Sequence, residues 1–203
     1  MKVPPYAVRV GEHLLPKPAG GHPALELCNT FAGWGAPAGS EWLKDYRTLA
    51  VWAEFTGLVP AADDLPATSR AAAGVLDEVR SFRAALYGLL LEGTGVVGGT
   101  AGAGFAEVAS RVDEANVLRR LTAGPDGSAS LALPPSRDVW LPLHVVAIAA
   151  ADLLARPERA TVRACPGQGC GWLFLDPRGR RVWCSMAACG NRAKVRAHAA
   201  RHQ

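Results

Sequence analysis

Four of the five cysteines in the chain fall in one short segment, spaced Cys165-x4-Cys170-x13-Cys184-x4-Cys189. Two close pairs separated by about a dozen residues suit a tetrahedral zinc ion. Each pair supplies two thiolates from a tight knuckle, and the segment between them doubles back to bring the pairs together. Four sulfurs leave no open position for water or substrate, so the spacing describes a structural metal rather than a catalytic one. His198 and His202 lie downstream as a weaker alternative source of ligands, and a reactive redox cluster is the competing reading. A module this short buries little apolar surface, so metal binding, worth on the order of 10 kcal/mol, supplies much of its folding free energy.

The charge divides at the same place. Residues 161–203 carry eight Lys/Arg against Asp176 alone, a formal +7, whereas residues 1–160 carry 14 Lys/Arg against 17 Asp/Glu, a formal −3. A basic module on a slightly acidic body is the pattern expected where one end meets a polyanion. A helix from about Gly190 to Arg201 places Arg192 and Arg196 on one face, with Lys194 beside them. Such side chains bind phosphates or read guanine edges, and Arg180 and Arg181 on the preceding turn could grip the backbone. The candidate nucleic-acid contacts are therefore Arg180, Arg181, Arg192, Lys194 and Arg196. Arg192 has a second reading, as a structural guanidinium packed on Trp172 or Trp183 or bonded to knuckle carbonyls. The two tryptophans themselves are expected to pack around the metal.

Several elements must position this module. Tyr6–Val10 reads as a short strand, and GHPALELCNTFAGW as a short helix opened by His22-Pro23 and stopped at Gly33. A second helix follows Ser40, a potential N-cap, and ends at Gly57. Apolar residues at three- and four-residue steps predict helices over Ala67–Glu92 and Phe105–Leu121. The glycine-rich segment 93–104 between them matches no phosphate-binding fingerprint and reads as a linker. Ala129–Leu133 reads as a strand, and Ser136–Ala155 as an all-round apolar helix at the centre of the body. RATVRAC leads, as a strand, into the cysteines. Between the pairs, Gly171–Leu175 and Arg181–Trp183 read as a strand and its return across a turn at Asp176–Gly179.

Catalytic signals are sparse. The chain has no Gly-x-Ser-x-Gly, His-Glu-x-x-His or Walker segment, and its five histidines are scattered. Cys28 stands alone and reads as a buried small residue, so the expectation is a protein that is not an enzyme. Asn29 and Thr30 sit in an otherwise apolar segment, where buried polar groups need partners. With Trp34, Trp140 and His144 they form a candidate lining for a small-molecule site; an ordinary core is the alternative. The most apolar stretch, Trp140–Ala151, is interrupted by Pro142 and His144 and is too short to span a bilayer. The N-terminus has no signal-peptide pattern, so a cytoplasmic location with no membrane contact is expected.

The string CGWLFLD…RRVWCSMAACGNRAKVRAH closely resembles the CGNR zinc-finger family, named for the signature that stands here as Cys189-Gly190-Asn191-Arg192. In that family the finger follows a mainly helical domain called ABATE. ALELCNTFAGW and LAVWAEFTGLV resemble its opening Asn-Thr segment and the helix after it. The resemblance implies an ABATE-like domain over 1–160 and a four-cysteine finger over 161–203, with the four cysteines as zinc ligands. It also implies a stress-related transcription regulator whose finger binds duplex DNA. The expected fold class is mainly α (α+β): a helical N-terminal domain with minor strands, plus a small C-terminal zinc-binding β-hairpin/helix module. A ligand for the helical body and a homodimer reading two half-sites complete the expected partners. A protein-interaction adaptor and an RNA-binding finger are the rival readings.

Overall fold

Apolar spacing decides where the helices form, and short polar signals decide where they begin. The computed structural model of the chain describes residues 3–34, 36–92, 101–124 and 126–201, with 101–103 as backbone only. Strands β1 (Ala7–Val10) and β2 (His13–Pro16) make an antiparallel hairpin in the register Ala7↔Pro16. Helix α1 (Pro23–Cys28) starts where the sequence places it. His22 is extended, its Nδ1 accepts from the Ala24 N–H at 3.3 Å, and Pro23 occupies the first turn. It ends at Cys28 rather than Gly33, because Phe31–Ala32 leave as β3 to pair with β4 (Ser40–Glu41).

That pairing also removes Ser40 as a cap. Helix α2 (Tyr46–Phe55) is capped by Asp45, whose Oδ1 accepts from both the N–H and the Oγ1 of Thr48 at 2.7 Å. Helix α3 (Ala72–Leu91) and helix α4 (Ala101–Asn116) follow. The part of the expected linker at 93–100 lies outside the described residues. Leu121, expected at the end of α4, belongs instead to β5 (Arg120–Ala123), which pairs with β6 (Ala129–Ala132) in a hairpin exposed along its length. Helix α5 (Leu141–Ala155) touches α1, α2, α3 and α4, as its apolar circumference requires.

The C-terminal part contains β7 (Val162–Ala164), β8 (Leu173–Leu175), a π-helical turn at Met186–Gly190 and helix α6 (Asn191–Ala200). The expected β-hairpin is present, but its strands are different. β8 pairs with β7, Val162↔Leu175, and not with Arg181–Trp183, which has no strand partner among the described residues. Asp176 explains the change. Its buried carboxylate accepts from the N–H groups of Arg180 at 3.0 Å and Arg181 at 3.1 Å, turning the chain away from the sheet. The fold is mainly helical with small strand pairs. One apolar core runs through α1, α2, α3 and α5 and takes in Val162 and Leu173, while Trp172 and Phe174 pack with the four cysteines in a second cluster.

Candidate metal centre

The tip of the β7–β8 hairpin carries Cys165 and Cys170, and the turn before α6 carries Cys184 and Cys189. All four are buried free thiols. Their Sγ atoms lie within 4.8 Å of one another, with Cys170–Cys184 and Cys184–Cys189 both at 3.6 Å. A tetrahedral zinc with bonds of about 2.3 Å sets its sulfurs about 3.8 Å apart, so the cluster fits that ion and the spacing is far longer than a disulfide bond. Gly167 makes the knuckle possible. A Cβ there would stand 2.9 Å from the Cys189 Sγ, where no side chain fits.

Electrostatics point the same way. Hydrogen bonding among the crowded sulfurs drives the Cys165 thiol down while pushing Cys170 and Cys184 up. Four such thiols ionise together only with a cation among them. Arg192 contributes from outside the set. Its Nη2 donates to the Cys189 Sγ at 3.0 Å, which holds the guanidinium charged, and its carbon lies 5.9 Å over the Tyr6 ring. The structural reading of Arg192 therefore has a specific form: it meets a sulfur and a tyrosine, not a tryptophan or a carbonyl.

The other basic candidates separate. Arg181 turns inward: it donates to the carbonyls of Trp183, Ala19 and Cys184 and stacks 4.3 Å over Phe174. Arg180, Lys194 and Arg196 are exposed, and α6 has no buried residue. His198 lies on α6 outside the sulfur group, and His202 is outside the described residues. Trp172 is buried beside the sulfurs and Trp183 packs against them, as expected.

Asn29, Thr30 and Trp34 follow α1, and Trp140 and His144 lie at the start of α5. Asn29 is buried, with Nδ2 donating to the Leu173 carbonyl at 2.9 Å and Oδ1 accepting from the Leu173 N–H at 2.7 Å. Thr30 donates to Leu27 at 2.6 Å and accepts from Arg83 at 2.8 Å. Trp34 bonds the Cys28 carbonyl at 3.0 Å and stacks on Tyr87. Trp140 lies under Arg111 at the start of α5, and burial lowers the pKa of neighbouring His144. None of the five bounds the cavity beside the cysteine cluster.

Contacts without a sequence signal join the finger to the body. Tyr87 donates to the Gly171 carbonyl at 2.8 Å, Trp172 donates to the Phe31 carbonyl at 3.1 Å, and the Gly33 N–H reaches Cys170 at 2.9 Å. Gly171 has φ +69, and a Cβ there would sit 2.8 Å from Trp34, so the approach needs glycine. Behind this seam, buried Arg83 forms a two-pronged pair with Glu41. Polar Asn29 and Thr30 are a sequence signal; their partners are not.

Comparison with known families follows the same division. Residues 161–202 match the CGNR zinc finger, and residues 21–157 match the ABATE domain, described as "putative stress-induced transcription regulator". The chain matches no curated protein. With most of its length in the ABATE match and its cysteine cluster in the CGNR match, the chain belongs to the ABATE family and ends in a CGNR zinc finger.

Proposed function

We propose that this protein is a zinc-dependent, DNA-binding transcription regulator of the cytoplasm and not an enzyme. Cys165, Cys170, Cys184 and Cys189 hold the zinc, which serves as a closed clamp orienting α6. The observation that carries the reading is the basic helix itself. Lys194 and Arg196 stand exposed on α6, with no residue of that helix spent on the core, directly after a turn anchored by Cys189. Arg180, exposed on the loop after β8, is a further candidate contact. Arg181 and Arg192 serve the finger's architecture, Arg192 meeting nucleic acid only through the N–H groups that Cys189 leaves unused. Cys28, the remaining thiol, suits this non-catalytic role: burial pushes its pKa up to about 12. No described helix is long and apolar enough to cross a membrane.

The test is a salt titration of duplex binding by the zinc-loaded chain. Affinity should fall linearly with log salt. Lys194→Gln and Arg196→Gln should each reduce the slope by about one unit, and Arg181→Gln should leave it unchanged in protein that retains zinc. A flat response overturns the reading. Preference for structured RNA favours an RNA-binding finger, and binding only to an acidic protein favours an adaptor. Sedimentation with and without DNA decides whether two copies share a site.

A further inference from the structure

Beside the cysteine cluster lies a cavity of about 280 Å³ with walls from both parts of the chain. Tyr6, Ser40 and Trp42 come from the body, and Trp172, Cys189 and Arg192 from the finger. Tyr6 stands edge-on to both tryptophans, with centroids 6.2 and 6.5 Å away and planes at 85° and 86°. Aromatic surface therefore bounds much of the space. An apolar cavity of about 150 Å³ holds a benzene, so this one has room for a molecule of one or two rings.

Three sulfurs of the metal cluster, Cys170, Cys184 and Cys189, form one wall, and the polar side chains opposite them are donors. The Trp42 indole N–H is buried and has no acceptor among the described residues. Arg192 commits Nη2 to the Cys189 Sγ and has further N–H groups to give. Ser40 adds a hydroxyl, and no Asp or Glu among the described residues lines the cavity. Away from the sulfur wall, such a site offers donors and one positive charge to whatever enters. Zinc with four thiolates is net negative, so an entering anion is tolerated only where it meets Arg192.

We propose that this cavity binds a small aromatic carboxylate. The ring lies among Tyr6, Trp42 and Trp172, and the carboxylate accepts from the Trp42 N–H and from Arg192. The bound acid draws on the same guanidinium that serves Cys189, and Arg192 sits in the first turn of α6. Occupancy therefore acts on the helix assigned to DNA. That consequence rests on the DNA-binding reading; the binding itself does not.

The experiment titrates the zinc-loaded full chain with benzoate, indole-3-carboxylate and benzamide, following tryptophan fluorescence and calorimetric heat. The acids should bind saturably at one per chain, and benzamide at least about tenfold more weakly, the loss expected for one charge-assisted bond. Trp42→Phe keeps the ring, removes the N–H and should weaken the acids several-fold. Arg192→Gln should abolish the preference for acid over amide. Zinc content is measured on each variant; if Arg192→Gln releases the metal, Trp42→Phe and the acid-to-amide ratio decide. Absence of saturation up to millimolar acid, equal binding of acid and amide, or an unaffected Trp42→Phe overturns the proposal. Saturable acid binding with DNA affinity unchanged upholds the site and removes its regulatory consequence. Acid binding by a chain that binds no DNA upholds the site and overturns the DNA reading.

Discussion

Asn29 gives β8 what a further strand would give it. A single side-chain amide accepts from the Leu173 N–H and donates to its carbonyl in a site closed to water. Asn29→Ala leaves both backbone groups buried and unpaired, at about 1–3 kcal/mol each, and should cost about 3 kcal/mol in urea unfolding. A loss below about 1 kcal/mol would mean that water replaces the amide. The same scale separates arginines that look alike in sequence. Arg181 closes on three carbonyls and a ring, Arg192 on a sulfur, and Arg83 on Glu41 inside the body, while Arg180 and Arg196 face solvent. Composition marks all five as charges. Only their surroundings determine which of them is available to a partner.

Among the elements, helices are easier to place than their ends. The repeat of α3 follows directly from side-chain spacing, because it must lay an apolar stripe on the core, and α5 follows from the apolar circumference a central helix needs. The start of α2 is harder, since Ser40 and Asp45 are both able caps. Asp45 succeeds because Thr48 stands three residues on, where its N–H and hydroxyl both meet the carboxylate. Asp45→Ala should therefore lower stability by about 1 kcal/mol with a matching loss at α2 in amide exchange, whereas Ser40→Ala should leave that helix intact. Equal effects of the two substitutions would restore Ser40 as the cap. The expected Arg181–Trp183 strand is missing for a related reason. Asp176 takes the N–H groups of Arg180 and Arg181 that a strand would need to pair, leaving β7 as the partner of β8.

At the scale of the molecule, the finger is stitched to the body by Asn29, Phe31, Gly33 and Tyr87, and the core continues into it through Val162 and Leu173. Zinc removal should therefore reach beyond the finger. Chelation should abolish the near-ultraviolet signal of Trp172 and Trp183 and lower the melting temperature of the whole chain, with up to about 10 kcal/mol of metal-linked free energy lost. An unchanged melting temperature would show the two parts to be energetically independent. The pH dependence has a fixed sign. A bound cation depresses thiol titration in the folded state, so the metal-linked stability is complete at and above the ordinary thiol range near about 8.5. It is lost as falling pH lets protons displace the metal. Zinc release followed with a chromogenic chelator should rise steadily on acidification; release independent of pH would exclude thiolate ligands.

The sequence by itself determined the helical body, the paired cysteine knuckles and the basic terminal helix, because each is written in local spacing: heptad-like apolar steps, two x4 gaps, and charges within a few residues. It also marked Asn29 as a polar residue in need of a partner. Tertiary structure alone decided that the partner is Leu173, at a sequence separation of 144, and that Tyr6, Trp42 and Arg192 share one cavity. The physical reason is that long-range contacts depend on how packed elements meet, and a buried hydrogen bond or a cavity wall leaves no periodic trace in the segments that form it.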